Sequence, residues 1–252
     1  MSRHITLRCD VARLFRRGGD AAGEVVAAGR GGMEVVSMGK EEGTRGRLLE
    51  AACRVFAEKG FRDATIAEIC ARAGANIAAV NYYFRSKEKL YVEAWREAFH
   101  ASIAKYPPDG GAPADAPAAE RLKGRILSLM RRVADPDCLE FEIVQKELAS
   151  PTGLLAEVKR QSLEPLRKAM TKLVGELLGE GTPDEVVEFC QMSIMAQCMF
   201  PLMHRRRLRV MKGESVLSRP PDFAVERLAE HVLRFSLGGV RAVKERTGRR
   251  GR

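Results

Sequence analysis

A chain of 252 residues, 45% of them apolar, can bury a core in one large domain or two ordinary ones, as soluble globular proteins do. Its formal charge of +10 favours a polyanionic partner, although the same balance suits RNA, a membrane surface or plain solubility. The six cysteines, Cys9, Cys53, Cys70, Cys138, Cys190 and Cys198, form no C-x-x-C pair and no Cys/His set at zinc-finger spacing, which fits a reduced cytoplasmic protein without a structural metal or cofactor.

Residues 1–42 are rich in Gly and Arg, with little apolar periodicity, and are expected to stay out of the core. Arg8, Asp10, Arg13, Arg16 and Arg17 interrupt any apolar stretch, against a signal peptide. Met33 and Met38 stand just before the first convincing helix, so two readings stay open. Translation starts there, or residues 1–42 form a flexible arm able to add non-specific phosphate contacts.

From Thr44 the pattern changes. Leu48, Leu49, Ala52, Val55 and Phe56 recur at helical spacing, and Gly60 after Lys59 marks the stop. Thr65 stands three residues before Glu68, the arrangement of a capping box, and opens a short second helix carrying Ile66, Ile69 and Cys70, ending near Ala71. Gly74 suits a tight turn, and Asn76 is a good N-cap for a short third helix. Two short helices joined through a Gly-containing turn make a helix-turn-helix candidate. Ser86 caps a fourth helix that turns Leu90, Tyr91, Ala94, Trp95 and Ala98 inward and ends before Pro107-Pro108.

Residues 106–117 hold four prolines and a Gly pair and read as a loop. Beyond it the pattern predicts only helices, at about 118–134, 138–149, 153–178, 184–204 and 221–246, with a loop over 212–220. No segment sustains strand alternation, so the fold class is all-α. The apolar run Val186 to Met203 contains Glu188, Gln191, Ser193 and Gln197, is barely long enough for a bilayer, and reads as a buried helix.

The string Thr65-Ile-Ala-Glu-Ile-Cys-Ala-Arg-Ala-Gly-Ala-Asn76, then Tyr82-Tyr83-Phe84, then Ser86-Lys87-Glu88-Lys89-Leu90, resembles the DNA-binding head of the TetR family over residues 44–92. The resemblance implies a three-helix DNA-binding domain at 43–92, a helical effector-binding and dimerisation domain at 93–246, and a basic tail at 247–252. It implies a cytoplasmic, homodimeric transcription regulator, usually a repressor, on a double-stranded palindromic operator. Residues 76–84, together with Glu147 ahead of Pro151, Leu163-Glu164-Pro165, Ser193, Gln197 and the ending Phe235 to Arg241, resemble one subgroup, the CerR-like regulators.

The third helix suits a major groove. Ile77, Ala78 and Ala79 are short enough to admit the backbone and to touch thymine methyls, while Asn76 and Asn81 can exchange hydrogen bonds with base edges or phosphates. Asn81 stands where most members of the family carry a phosphate-contacting tyrosine, which moves that role to Tyr82 or Tyr83. Thr65 and Lys87 are the remaining phosphate candidates. Val80 and Phe84 read as core, and Trp95 as packing rather than base stacking.

In the body, the 184–204 helix and the stripe Val225, Leu228, Ala229, Val232 and Phe235 offer two surfaces for a dimer. Phe141, Gln145, Met170, Phe189, Met195 and Met199 are the candidate lining of a pocket for a small hydrophobic effector. Met192, Met195, Met199 and Met203 with Cys190, Cys198 and His204 suit Cu(I) by type, but helical spacing spreads them over several faces, so core lining is the preferred reading. Arg205, Arg206, Arg207, Arg209 and Lys212 read as a solvated helix end. An enzyme is disfavoured by the lack of a phosphate-binding glycine loop, H-E-x-x-H or G-x-S-x-G, and by four scattered histidines. A helical protein-protein adaptor is the remaining rival, separated from a regulator by the absence of salt-dependent duplex binding.

Overall fold

The computed structural model describes residues 34–210 and 223–250, with side chains over 43–208 and 223–246. The expectations for residues 1–33, for the 212–220 loop with Lys212, for the Arg209 side chain and for the 247–252 tail lie outside the described residues. The chain divides into two compact units, Met1–Gly39 and Lys40–Arg252, and the second of them holds all the packing described below. The described elements are all helical: α1 Glu34–Asp63, α2 Ile66–Ala73, α3 Ile77–Phe84, α4 Lys87–Lys105, α5 Ala118–Ala134, α6 Glu140–Ala149, α7 Ala156–Leu178, α8 Asp184–Val210 and α9 Val225–Arg250.

The regular part of α1 stops at Gly60, whose φ of 78° and ψ of −179° suit only glycine. A Cβ there would also meet the Lys146 Cβ at 3.2 Å, so the same residue lets α6 approach. The N-terminal boundary differs from the amphipathic pattern, because α1 extends back to Glu34 rather than beginning at Thr44.

Two cores arise from the apolar faces. The first gathers Leu48, Ala52, Val55 and Phe56 of α1, Ile69 of α2, Val80 and Phe84 of α3, and Leu90, Tyr91 and Trp95 of α4. Ile143 of α6, Leu155 just before α7 and Val158 of α7 join it, so the N-terminal helices are cemented to the body rather than tethered to it. The second core joins Leu122, Ile126 and Met130 of α5, Leu173 and Val174 of α7, Ile194, Cys198 and Leu202 of α8, and Val232 of α9. The five described cysteines are all free thiols.

Three features of the body bear on the expectations for it. First, α8 is not buried all round: Val187, Gln191, Ile194, Cys198 and Leu202 face the core, but Phe189 is 57%, Met192 62% and Phe200 75% exposed. Among the described residues, 184–208 is a helix that by length and composition could cross a membrane, yet its buried stripe is packed in the second core. Second, Ala229 and Val232 of the α9 stripe are buried in the second core, while Phe235 is 64% exposed.

Third, Arg206 is no solvated helix end. It is 3% exposed, and its guanidinium donates to the carbonyls of Val133 and Asp135 at 2.7 Å and of Cys138 at 3.1 Å, and to both carboxylate oxygens of Glu142. Those carbonyls belong to the C-terminal end of α5 and the turn before α6, where helical partners run out. Arg206 therefore supplies the capping donors that this connection lacks. Its charge is also 5.4 Å above the Phe141 ring, whose neighbour Arg132 in turn lies between Phe141 at 5.6 Å and Phe99 at 5.5 Å. Trp95 stacks on Phe99 at 5.3 Å, so a ladder of alternating rings and cations runs from α4 through α5 and α6 to α8.

Candidate nucleic-acid interface

The turn between α2 and α3 is built from local hydrogen bonds that the sequence specifies. Thr65 Oγ1 accepts from Glu68 N at 3.1 Å, and Asn76 Oδ1 accepts from Ala79 N at 2.9 Å, so both helices start on capped amides. Gly74, at φ 60° and ψ 42°, donates to Ala71 O while Ala75 N donates to Cys70 O, which closes α2 with a Schellman motif. The capping box is only half made. The Glu68 carboxylate accepts from Lys59 at 2.7 Å and Arg72 at 2.9 Å, and these cations, Lys59 first, hold it below the usual carboxylate range.

Asn76 has one lone pair of its carbonyl oxygen in the cap, which leaves the second lone pair and the amide NH2 for an outside partner. Beyond it, α3 is two-faced. Val80 and Phe84 are buried, Ala79 and Tyr83 pack partly on the core, and Ile77 at 54% and Tyr82 at 64% exposure look outward with Ala78 and Asn81. Tyr82 stands edge-on to Tyr83 with ring centroids 4.9 Å apart, which orients the hydroxyl-bearing rings at the C-terminal end of α3. Lys87 leans back: its Nζ donates to Arg62 O at 3.4 Å and lies 4.6 Å over the Phe61 ring, leaving two further donors.

Between α3 and α4 the backbone does something the sequence does not announce. Arg85 has φ 69° and ψ −38°, the only positive φ at a non-glycine among the described residues, and Ser86 N donates to Phe84 O at 2.8 Å. That bond from residue i+2 back to residue i closes a γ-turn of the rarer, strained kind, which for a non-glycine costs on the order of 1–3 kcal/mol. Ser86 then caps α4, its Oγ accepting from Lys89 N at 3.3 Å.

Residues 48–94 match the family described as "Bacterial regulatory proteins, tetR family", and residues 118–240 match the "HTH-type transcriptional dual regulator CecR, C-terminal domain". The CecR regulator of Shigella flexneri is 31% identical over 150 residues, spanning 56% of this chain and 67% of that protein. This chain belongs to the TetR family. The KstR2 repressor of Mycobacterium tuberculosis is 35% identical over 68 residues, 27% of this chain and about a third, 34%, of that protein. The solved structure of KstR2 superposes with a TM-score of 0.52 at 21% identity over 77% of this chain and 93% of that one. The fatty acid degradation regulator FadR of Bacillus halodurans gives 0.57 at 19% identity over 77% and 98%. At such identities the two structures establish the fold alone. The curated relatives are regulators, and this TetR-family chain is a DNA-binding transcription regulator rather than an enzyme.

The TetR-family body does not gather the six effector candidates into one pocket. Phe141 and Met170 are buried in the second core, and Met195 and Met199 pack against it. Gln145 instead lines an open groove of about 1060 Å³ with Ala57 of α1, Leu148 of α6 and Met203 of α8. Phe189 points outward from α8, apart from the other five, because helical periodicity alone does not say which of two apolar faces turns inward. No group of three or more His, Cys, Asp or Glu is placed to hold a metal among the described residues. The Met and Cys of α8 diverge, with Met192 exposed and Cys198 buried; the burial pushes the Cys198 thiol up to about 12.

Two acids of α6, absent from the sequence-derived site, tie it to α4. Glu147 accepts from Tyr91 Oη at 3.1 Å and from Thr152 N and Gly153 N at 2.9 Å. Glu140, 3% exposed, accepts from Ser102 Oγ at 2.5 Å and lies 3.6 Å from Arg132 Nε. Burial raises Glu140 to about 7 against the hydrogen bond from Ser102 and the charge of Arg132, and burial likewise depresses Arg132. A carboxyl whose folded value exceeds its unfolded one holds its proton more tightly when folded. Glu140 therefore subtracts stability progressively as pH rises from about 4.5 to about 7, and the full cost stands above that window. Urea unfolding of wild type and Glu140→Gln at pH 5 and pH 8 should show the wild type losing ground to the variant at the higher pH. Parallel profiles would place the titration elsewhere.

Proposed function

We propose that this chain is a cytoplasmic, homodimeric, ligand-responsive repressor that leaves a palindromic operator when a small hydrophobic effector binds the body. The observation that carries the DNA half is the outward face of α3: Ile77, Ala78, Asn81 and Tyr82 exposed over a core-anchored Val80 and Phe84. Short apolar groups admit the helix to the major groove and meet thymine methyls, while Tyr82, Tyr83, Thr65 and Lys87 stand at its edges for phosphates. Two such helices across a two-fold axis read half-sites about one helical turn apart.

The body supports a ligand-driven change. An effector parting Phe141, Met170, Met195 and Met199 would push on α6, and Glu140 and Glu147 pass that push to α4, which shares the first core with α3. The ligand must favour one arrangement by a few kcal/mol to release the operator. FadR and KstR2 are named for fatty acid and ketosteroid regulation, both concerning hydrophobic small molecules. CecR is named a dual regulator, so a transcription assay with the recovered operator decides repression.

Selection from random duplexes should enrich an inverted repeat bound in a salt-dependent manner. Tyr82→Ala should weaken every duplex alike, whereas Ala78→Gln should change the preferred half-site by about 1–3 kcal/mol at one base pair. Enrichment of no repeat, with binding to protein partners instead, would favour the adaptor.

A further inference from the structure

We infer that Arg85, at the junction of α3 and α4, is a phosphate-gripping residue of the DNA interface, presented by the strained γ-turn that it occupies. This rests on the reading of α3 as the helix that enters DNA.

The position itself sets the question. At φ 69° a glycine fits without strain, and any other residue is penalised by its Cβ. Arginine is therefore a costly choice, and nothing inside the described fold offsets it. The Arg85 side chain is exposed and makes no hydrogen bond, ion pair or ring contact among the described residues. Its backbone N–H does bond to Asn81 O, but a glycine would make that bond equally well. What glycine lacks is the guanidinium.

The surroundings say what the guanidinium is for. Arg85 follows directly on the last turn of α3, so a side chain leaving this turn starts beside the Tyr82 and Tyr83 end of the reading helix. It shares an open groove with Arg45, Tyr83 and Lys89. Of the acids of that groove, Glu93 pairs with Arg96 and with Arg45 at 3.9 Å, and Glu88, kept ionised by the Ser86 hydroxyl, makes no ion pair with Arg85 or Lys89. Arg85 and Lys89 are left as cations without an acidic partner among the described residues, one turn apart, at the start of α4. A planar fork with five donors beside a second cation matches a phosphate oxyanion better than any neutral surface.

The test compares three variants of the full chain, Arg85→Ala, Arg85→Gly and Arg85→Lys, on a 30-bp random-sequence duplex by fluorescence anisotropy across a salt series. Both Ala and Gly should bind about tenfold more weakly or worse. With one phosphate released by each subunit of a dimer, the slope of log affinity against log salt should flatten by about 2, and Lys should recover most of it. Unfolding temperature supplies the separate backbone readout: Arg85→Gly should melt about 2–4 °C above Arg85→Ala. Wild-type affinity in Arg85→Gly would overturn the proposal, because the turn alone would then suffice. An unchanged salt slope in both weak variants would also overturn it, since the residue would be setting helix geometry without touching phosphate. Failure of the wild-type protein itself to bind any duplex would instead sink the reading of α3.

Discussion

Arg206→Met is expected to lower the unfolding free energy by about 1.5–3 kcal/mol, the scale of hydrogen bonds lost from a buried charged donor whose acid partner keeps some access to water. The side chain is 3% exposed and satisfies Glu142 together with the carbonyls of Val133, Asp135 and Cys138. Methionine matches its length but returns none of those donors, so the Glu142 carboxylate and the carbonyls of Val133 and Cys138 lose the guanidinium, while Asp135 O keeps the Cys138 N–H. The Phe141 ring also loses the cation above it. Equilibrium urea unfolding checks this, and the double variant Arg206→Met with Glu142→Leu should recover part of the loss because the unpaired acid is gone. A loss below about 1 kcal/mol would mean that the α5–α6 connection is held by packing alone.

This arginine also shows where sequence reading ends. The caps Thr65, Asn76 and Ser86 and the stop at Gly74 were legible because each acts on a backbone group within four residues of itself, and hydroxyl, amide and glycine chemistry fixes the outcome locally. The destination of a long cation depends on what a distant segment presents, here residues some 64–73 positions away. A signal was available. Ile194, Cys198, Leu202 and Arg206 continue one buried stripe at intervals of four, and α5–α6 offers Glu140 and Glu142 as acids in need of a cation. The basic run Arg205 to Arg207 concealed it by resembling a solvated end.

The scatter of the effector candidates has a related cause. An amphipathic pattern reports that a face is apolar, not whether the chain itself covers it, so Phe189 and Phe141 look alike in sequence and end on opposite sides of the second core's boundary. Arg85 was illegible in another way, because its γ-turn lies between the buried Phe84 and Leu90 while arginine carries no turn signature.

The uncovered apolar faces lead to the second large effect. Phe189, Met192 and Phe200 on α8 and Phe235 on α9 are each more than half exposed, on two helices that pack against one another. Exposed aromatic and Met surface of this kind is costly in water and marks a contact with another molecule. A second copy is the occupant that the proposed palindromic operator would require, since a two-fold pair presents both α3 helices in matched orientation. Phe235→Asp removes an aromatic that its own chain does not bury and sets a charge where the partner would desolvate it, so the monomer fold should survive with unchanged far-UV dichroism. Mass by light scattering should fall from two chains to one. Operator affinity should fall with it by a factor on the order of 10²–10⁴, because the second half-site is no longer bound intramolecularly. The variant remaining a dimer at micromolar concentration would put the interface on another face of the body, and a monomer that still bound the operator at full strength would remove the need for a pair at all.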